Sequence, residues 1–175
     1  MATVIRGSDN FDSSVGKSNV VQTHITATST QAIGANSNVA VTGLTASITP
    51  KSASSRIMID VRWSGEFSSA DHSFSMTLTR NGSLIGLAEP DGNRTRAMTM
   101  IPTSYHADNQ ASTPTTVSFC YLDSPDTTST AVYVAHIHNA STGNRTVYNN
   151  RSVTDSNSSS YERLTSSITL TEVQS

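Results

Sequence analysis

The sequence predicts an all-β protein, an antiparallel β-sandwich or jelly roll behind an extended N-terminal arm. Three observations carry this. From Val20 onward apolar residues recur at every second position in short runs, the period of a strand with one buried face. Turn-forming clusters separate the runs, and no helical pattern interrupts them. The composition is rich in hydroxyls and poor in charge, with 30 Ser and 25 Thr among 175 residues and only 14% charged residues. β-Branched Thr suits a half-buried pleated surface, and so little charge argues against a highly charged disordered chain.

In chain order, residues 1–19 stand apart. Val4, Ile5 and Phe11 are isolated apolar residues in a polar background without a period. Such a segment has little reason to order alone, so it is expected to be an arm that anchors the protein to a partner. Residues 20–175 are expected to form the one domain that this length can bury well. Strands are expected at Val20–Thr28, Val39–Ile48 and Arg56–Ser64, the last with Ile57, Ile59, Val61 and Trp63 on one face. Phe74, Met76 and Leu78 alternate next and lead to Asn81-Gly82. Both of these residues tolerate the positive φ of a type I′ hairpin turn. A two-residue turn there places Leu78 opposite Ile85 and Met76 opposite Leu87.

Further strands are expected at Thr95–Ile101, Thr115–Leu122, Thr130–Asn139, Thr146–Asn149 and Leu164–Val173. Turn signals punctuate them at Thr49-Pro50, 89–92, 123–126 and 141–144. About ten short strands without helices read as a sandwich or jelly roll. The stretch Ala131–Ile137 is apolar on both faces. It calls for two covers, from within its own domain or from a second subunit.

Several function classes find little support. Net charge is −2, and the cations are Lys17, Lys51 and nine scattered Arg, so no stripe faces a nucleic acid. No apolar run approaches the roughly 20 residues of a membrane helix. The opening MATVIRGSDN lacks a secretory pattern, so synthesis in the cytoplasm is expected. Phosphate-loop, nucleophile-elbow and zinc-protease motifs are missing, and no enzymatic activity is expected. His136 and His138 share one side of a strand at a spacing that can chelate a metal. No third ligand is identifiable, with His24, His72 and His106 scattered, so neither metal nor cofactor is expected.

The acids Asp91, Asp108, Asp123, Asp126, Asp155 and Glu162 sit mostly in expected turns, where capping explains them. Cys120 has no adjacent base and faces away from Val117, Phe119 and Tyr121. Six Asn-x-Ser/Thr sequons, at Asn81, Asn93, Asn139, Asn144, Asn150 and Asn157, follow from composition. Asn144, Asn149, Asn150, Asn109, Tyr105, Tyr148 and Tyr161 lie on or near expected loops and offer the amides and aromatic platforms of a sugar-binding surface.

Stretches spread over nearly the whole chain in a consistent order resemble a family of bacteriophage virion structural proteins, often labelled tail fibre proteins. They are residues 5–13 (IRGSDNFDS), 42–50 (TGLTASITP), 92–97 (GNRTRA), 121–125 (YLDSP), 147–152 (VYNNRS) with Asp155 and Arg163, and 167–173 (SITLTEV). The resemblance implies a jelly-roll domain in the style of the tumour necrosis factor fold. It implies assembly as a homotrimer around a threefold axis, and attachment to the particle through the N-terminal segment. It supplies no catalytic residues. This chain has no coiled-coil shaft, so a capsid decoration (cement) protein or head fibre on the virion surface, bound to a phage capsid or tail protein, suits it best. The alternative is a tail fibre that recognises host surface glycans.

Overall fold

A computed structural model describes residues 2–3, 19–69, 73–103 and 113–173. The arm residues Val4, Ile5 and Phe11 lie outside these, as do His72, Tyr105, His106, Asp108 and Asn109. The described residues form twelve strands and no helix: β1 (Ala2–Thr3), β2 (Val20–Ile25), β3 (Ser29–Ile33), β4 (Ser37–Ile48), β5 (Arg56–Phe67), β6 (Phe74–Arg80), β7 (Ser83–Ile85), β8 (Thr99–Met100), β9 (Thr115–Asp123), β10 (Ala131–Asn139), β11 (Arg145–Asn149) and β12 (Ser166–Val173). All pairings are antiparallel.

Two sheets pack face to face. The first runs β2-β12-β5-β9, with β1 added at the β2 edge; β11, which also carries β3, pairs with the far end of β5. The second runs β4-β10-β6-β7, and β8 pairs with β6 beyond β7. Every connection among these eight main strands crosses between sheets, except the β6–β7 hairpin. Numbered one to eight, the sheet orders are 1-8-3-6 and 2-7-4-5, which is the jelly roll. The sandwich expected from the alternation is the observed fold.

Period-two side chains build the core. Ile57, Ile59, Val61 and Trp63 point inward from β5 and are essentially inaccessible, while Arg56, Met58, Asp60 and Arg62 point out. Ile168 and Leu170 join them from β12, and Tyr133, Ala135, Ile137, Phe74, Met76 and Leu78 face them from the second sheet. Burying one such aliphatic or aromatic side chain contributes about 1.5–3 kcal/mol. β10 is a central strand of the second sheet. Its inward face is fully covered, while Val132 on the outward face stays 39% exposed.

Strand β4 changes parity midway: Val41 is buried, then Leu44, Ala46 and Ile48. Gly43, at φ 79°, absorbs the extra residues of a bulge opposite Val134 and His136. The bulge leaves backbone groups without ladder partners, and Gln31 supplies them. Its Oε1 accepts from the Thr42 amide and its Nε2 donates to the Ala40 carbonyl.

The Asn81-Gly82 turn has both φ values positive, 49° and 83°, and Leu78 pairs with Ile85 as the turn chemistry requires. The expected second pair does not form. Gly86, at φ 63°, turns the chain aside against Met98 and Tyr121, so Met76 pairs with Thr99 of β8 and not with Leu87. For the same reason the strand expected at Thr95–Ile101 shrinks to two residues. The strand expected over Val20–Thr28 stops at Ile25, and β3, where no strand was expected, begins beyond it at Ser29. The buried Asn150 amide donates to the carbonyls of Ile25 and Ala27, bending the chain so that β3 leaves to pair with β11.

Candidate functional surfaces

Several residues that resembled a binding set in the sequence are consumed by the fold. Asn149 is 3% exposed; its Oδ1 accepts from Trp63 Nε1 at 2.7 Å and its Nδ2 donates to Ser29 Oγ. Asn150 is 1% exposed and also accepts from Ser166 Oγ. Asn144 accepts from the Ala35 amide. Tyr148 lies beneath the Arg151 guanidinium, 4.6 Å from its ring centre. Asn149 and Asn150 thus close backbone ends and orient a core tryptophan, and both are buried away from any ligand.

Asp123 is likewise structural. Its Oδ2 accepts from Arg80 Nη1 at 2.6 Å and from the Tyr133 hydroxyl at 2.7 Å, and the buried, paired phenol is pushed well above its ordinary pKa. Glu66, which no sequence motif marks, is 4% exposed and ties two loops to β5. It accepts from the Thr113 amide and hydroxyl through one oxygen and from the Val153 amide through the other. The hint was an acid inside an apolar strand end, Gly65-Glu66-Phe67.

Cys120 lies on the outer face of the first sheet, beside Asp60. Partial burial, then the hydrogen bond and charge of that carboxylate, push the thiol up, the opposite of nucleophile activation. His136 and His138 do share one face of β10. His136 Nε2 is 3.1 Å from Thr79 Oγ1, however, and its Nδ1 is enclosed without a partner, so neither nitrogen is open to an ion. Among the described residues no group of three or more His, Cys, Asp or Glu is placed to hold a metal.

Burial lowers the pKa of both histidines. The unfolded chain therefore takes up these protons at about the ordinary 6.5, the folded chain only at lower pH. Stability is full above that value and is lost as pH falls through the window below it. Thermal melts between about pH 7 and pH 5.5 are expected to show a falling midpoint, and His136→Gln should flatten the fall. An unchanged slope in that variant would assign the effect to other groups.

The two long sides of the sandwich differ. On the β2/β4 side Ile25 packs directly against Gly43 and closes the core. On the other side β9 spans nine residues, but the strands facing it across the sandwich, β7 and β8, span three and two. Phe119 and Tyr121 point toward the core yet remain only half-buried, with Met98 and Ile85 beside them. Leu84 and Met100, on the outer face of the second sheet, are 49% and 55% exposed. Among the described residues β9 pairs with β5 alone, and no described strand lies along its other edge. From Thr115 to Leu122 that edge carries no charge and no proline, the usual guards of an edge strand.

A second surface is polar. The loop between β11 and β12 folds around a cleft of about 310 Å³ lined by Asp155, Ser156, Asn157, Ser158, Tyr161 and Arg163. Arg151 fixes its base, donating to the carbonyls of Ser152 and Val153 and to Thr30 Oγ1, with Asp155 3.8 Å away. Arg163 pairs with Asp155 across the cleft. Of the residues that suggested sugar recognition in the sequence, this cleft gathers Tyr161 alone.

Among the described residues, fold and surfaces together define a jelly roll with an apolar side that no described strand covers and a polar loop cleft. Comparison of the chain with protein-family models, with curated proteins and with solved structures finds no significant match.

Proposed function

We propose that this chain is a structural protein of a bacteriophage particle. In this reading it is a homotrimer on the virion surface that acts as a capsid decoration protein or head fibre, and its N-terminal segment, about residues 1–19, anchors it. The observation that carries the assembly half is the open side of the sandwich. Half-buried Phe119 and Tyr121, and an uncharged strand edge with no described partner, form a surface that a neighbouring copy would close. Near a rotation axis each residue meets its own image, so the absence of charge there avoids like-charge repulsion. The attachment half rests on the break in pattern near Val20 and on the resemblance to virion proteins. Three arms on one trimer would raise the effective concentration of each at the shell, and binding only the assembled shell would stabilise it by linkage.

Light scattering on the full chain is expected to give three times the chain mass. Tyr121→Lys should give a folded species of one chain mass, because the lysine stem keeps part of the half-buried ring's packing while its charge reaches the uncovered edge. A monomeric full chain, or a trimeric Tyr121→Lys variant, sinks the assembly reading. A chain starting at Val20 is expected to fold and trimerise but to fail to decorate particles. Decoration equal to that of the full chain would overturn the arm.

A further inference from the structure

We infer that the cleft in the β11–β12 loop is a binding site for a neutral saccharide, with Tyr161 as the stacking platform and Asp155 as the principal hydroxyl acceptor. This goes beyond the structural role proposed above and does not depend on it.

The cleft has the chemistry of one sugar ring. At about 310 Å³ it sits at the lower end of the range for small-molecule sites. Tyr161 supplies its only aromatic surface, and the rest of its lining is hydroxyl, amide and one ion pair. A pyranose is the complementary object, with an apolar C–H face for the ring and a rim of hydroxyls for the polar groups. Asp155 can accept from neighbouring hydroxyls, while the guanidinium of Arg163 donates beside it. The charges of these two offset one another, which favours a neutral sugar over an acidic one.

The loop also keeps hydrogen-bonding capacity on one surface, whereas Asn149 and Asn150 are buried and committed to the fold. Among the described residues, the Asn157 amide, the Ser156 hydroxyl and the Tyr161 hydroxyl make no hydrogen bond, and they line one cleft. The loop is also held in shape from beneath. Arg151 is clamped by three acceptors and stacked on Tyr148. The Leu164 amide donates to the Asn150 carbonyl, and the Glu162 amide donates to Ser152 Oγ. A site held in its bound shape loses less to ordering on binding. One shallow ring site is expected to bind at roughly millimolar Kd, a strength that becomes useful when several copies act together.

The test uses the full chain and saturation-transfer NMR with the methyl glycosides of glucose, galactose, mannose and N-acetylglucosamine as probes. At least one is expected to receive saturation, with ring protons of one face strongest. Tyr161→Ala and Asp155→Asn should each weaken that probe's affinity at least tenfold without moving the melting temperature, since both side chains sit on the loop surface. Transfer to none of the four, or transfer that survives Tyr161→Ala in a folded protein, overturns the proposal. Tyr121→Lys should leave saccharide binding intact, so failure of the assembly reading and failure of this one are told apart.

Discussion

Gly65→Ala is expected to destabilise the protein by about 3 kcal/mol, at the upper end of what one added methyl costs in a packed site. A Cβ at Gly65 would lie 2.5 Å from the Tyr148 carbonyl oxygen and 2.6 Å from Trp63 Cζ2. Neither neighbour can retreat. The carbonyl belongs to β11, which pairs with both β3 and β5, and the Trp63 ring is fully buried and held by Asn149. For a chain of this length the melting temperature should fall by roughly 10 °C. Gly82→Ala is the control. Nothing lies within 4 Å of its would-be Cβ, so only the strain of φ 83° remains, about 1 kcal/mol. Equal losses in urea melts of the two variants would show that the Trp63–Tyr148 contact does not confine Gly65.

Asp123→Ala is expected to cost a similar amount by a different route. The carboxylate is 5% exposed and serves the Tyr133 hydroxyl and Arg80 together. Removing it leaves the hydroxyl of a fully buried Tyr133 without its acceptor, a penalty of about 1–3 kcal/mol. The Arg80 side chain is 29% exposed and keeps the Ser124 carbonyl, so its share is small. Tyr133→Phe should cost only about 1 kcal/mol, because Asp123 stays paired. The double variant should therefore be more stable than the sum of the two losses implies, since no orphaned hydroxyl remains. Strict additivity in denaturant titrations would mean that the buried bond contributes nothing.

Local chemistry was legible wherever one residue or one spacing decides it. The alternation Ile57, Ile59, Val61, Trp63 needs no partner to define an inward face, because successive side chains on a strand point to opposite sides. Asn81-Gly82 set its own turn, since few other pairs adopt two positive φ values in succession. The Met76–Leu87 pair was misjudged because a register holds only while the strand continues. Whether it continues past Ile85 depends on Met98 and Tyr121 crowding Gly86, contacts distant in sequence. Asn149 and Asn150 of the sugar-binding set were misplaced in the same way. Asn149 and Asn157 are chemically alike, yet one lies under Trp63 and the other lines a cleft.

By itself the sequence determined that the chain is a β protein with a hydroxyl-clad exterior, where its main strands run, and which face of most of them is buried. These follow from side-chain alternation and turn chemistry, which act over a few residues. Tertiary structure alone decided the sheet order, the commitment of buried Asn, Asp and Glu side chains to backbone and core, and the open side at β9. Each of these depends on which distant strands meet and how long each facing strand is, and that is fixed only when two sheets pack around a shared core.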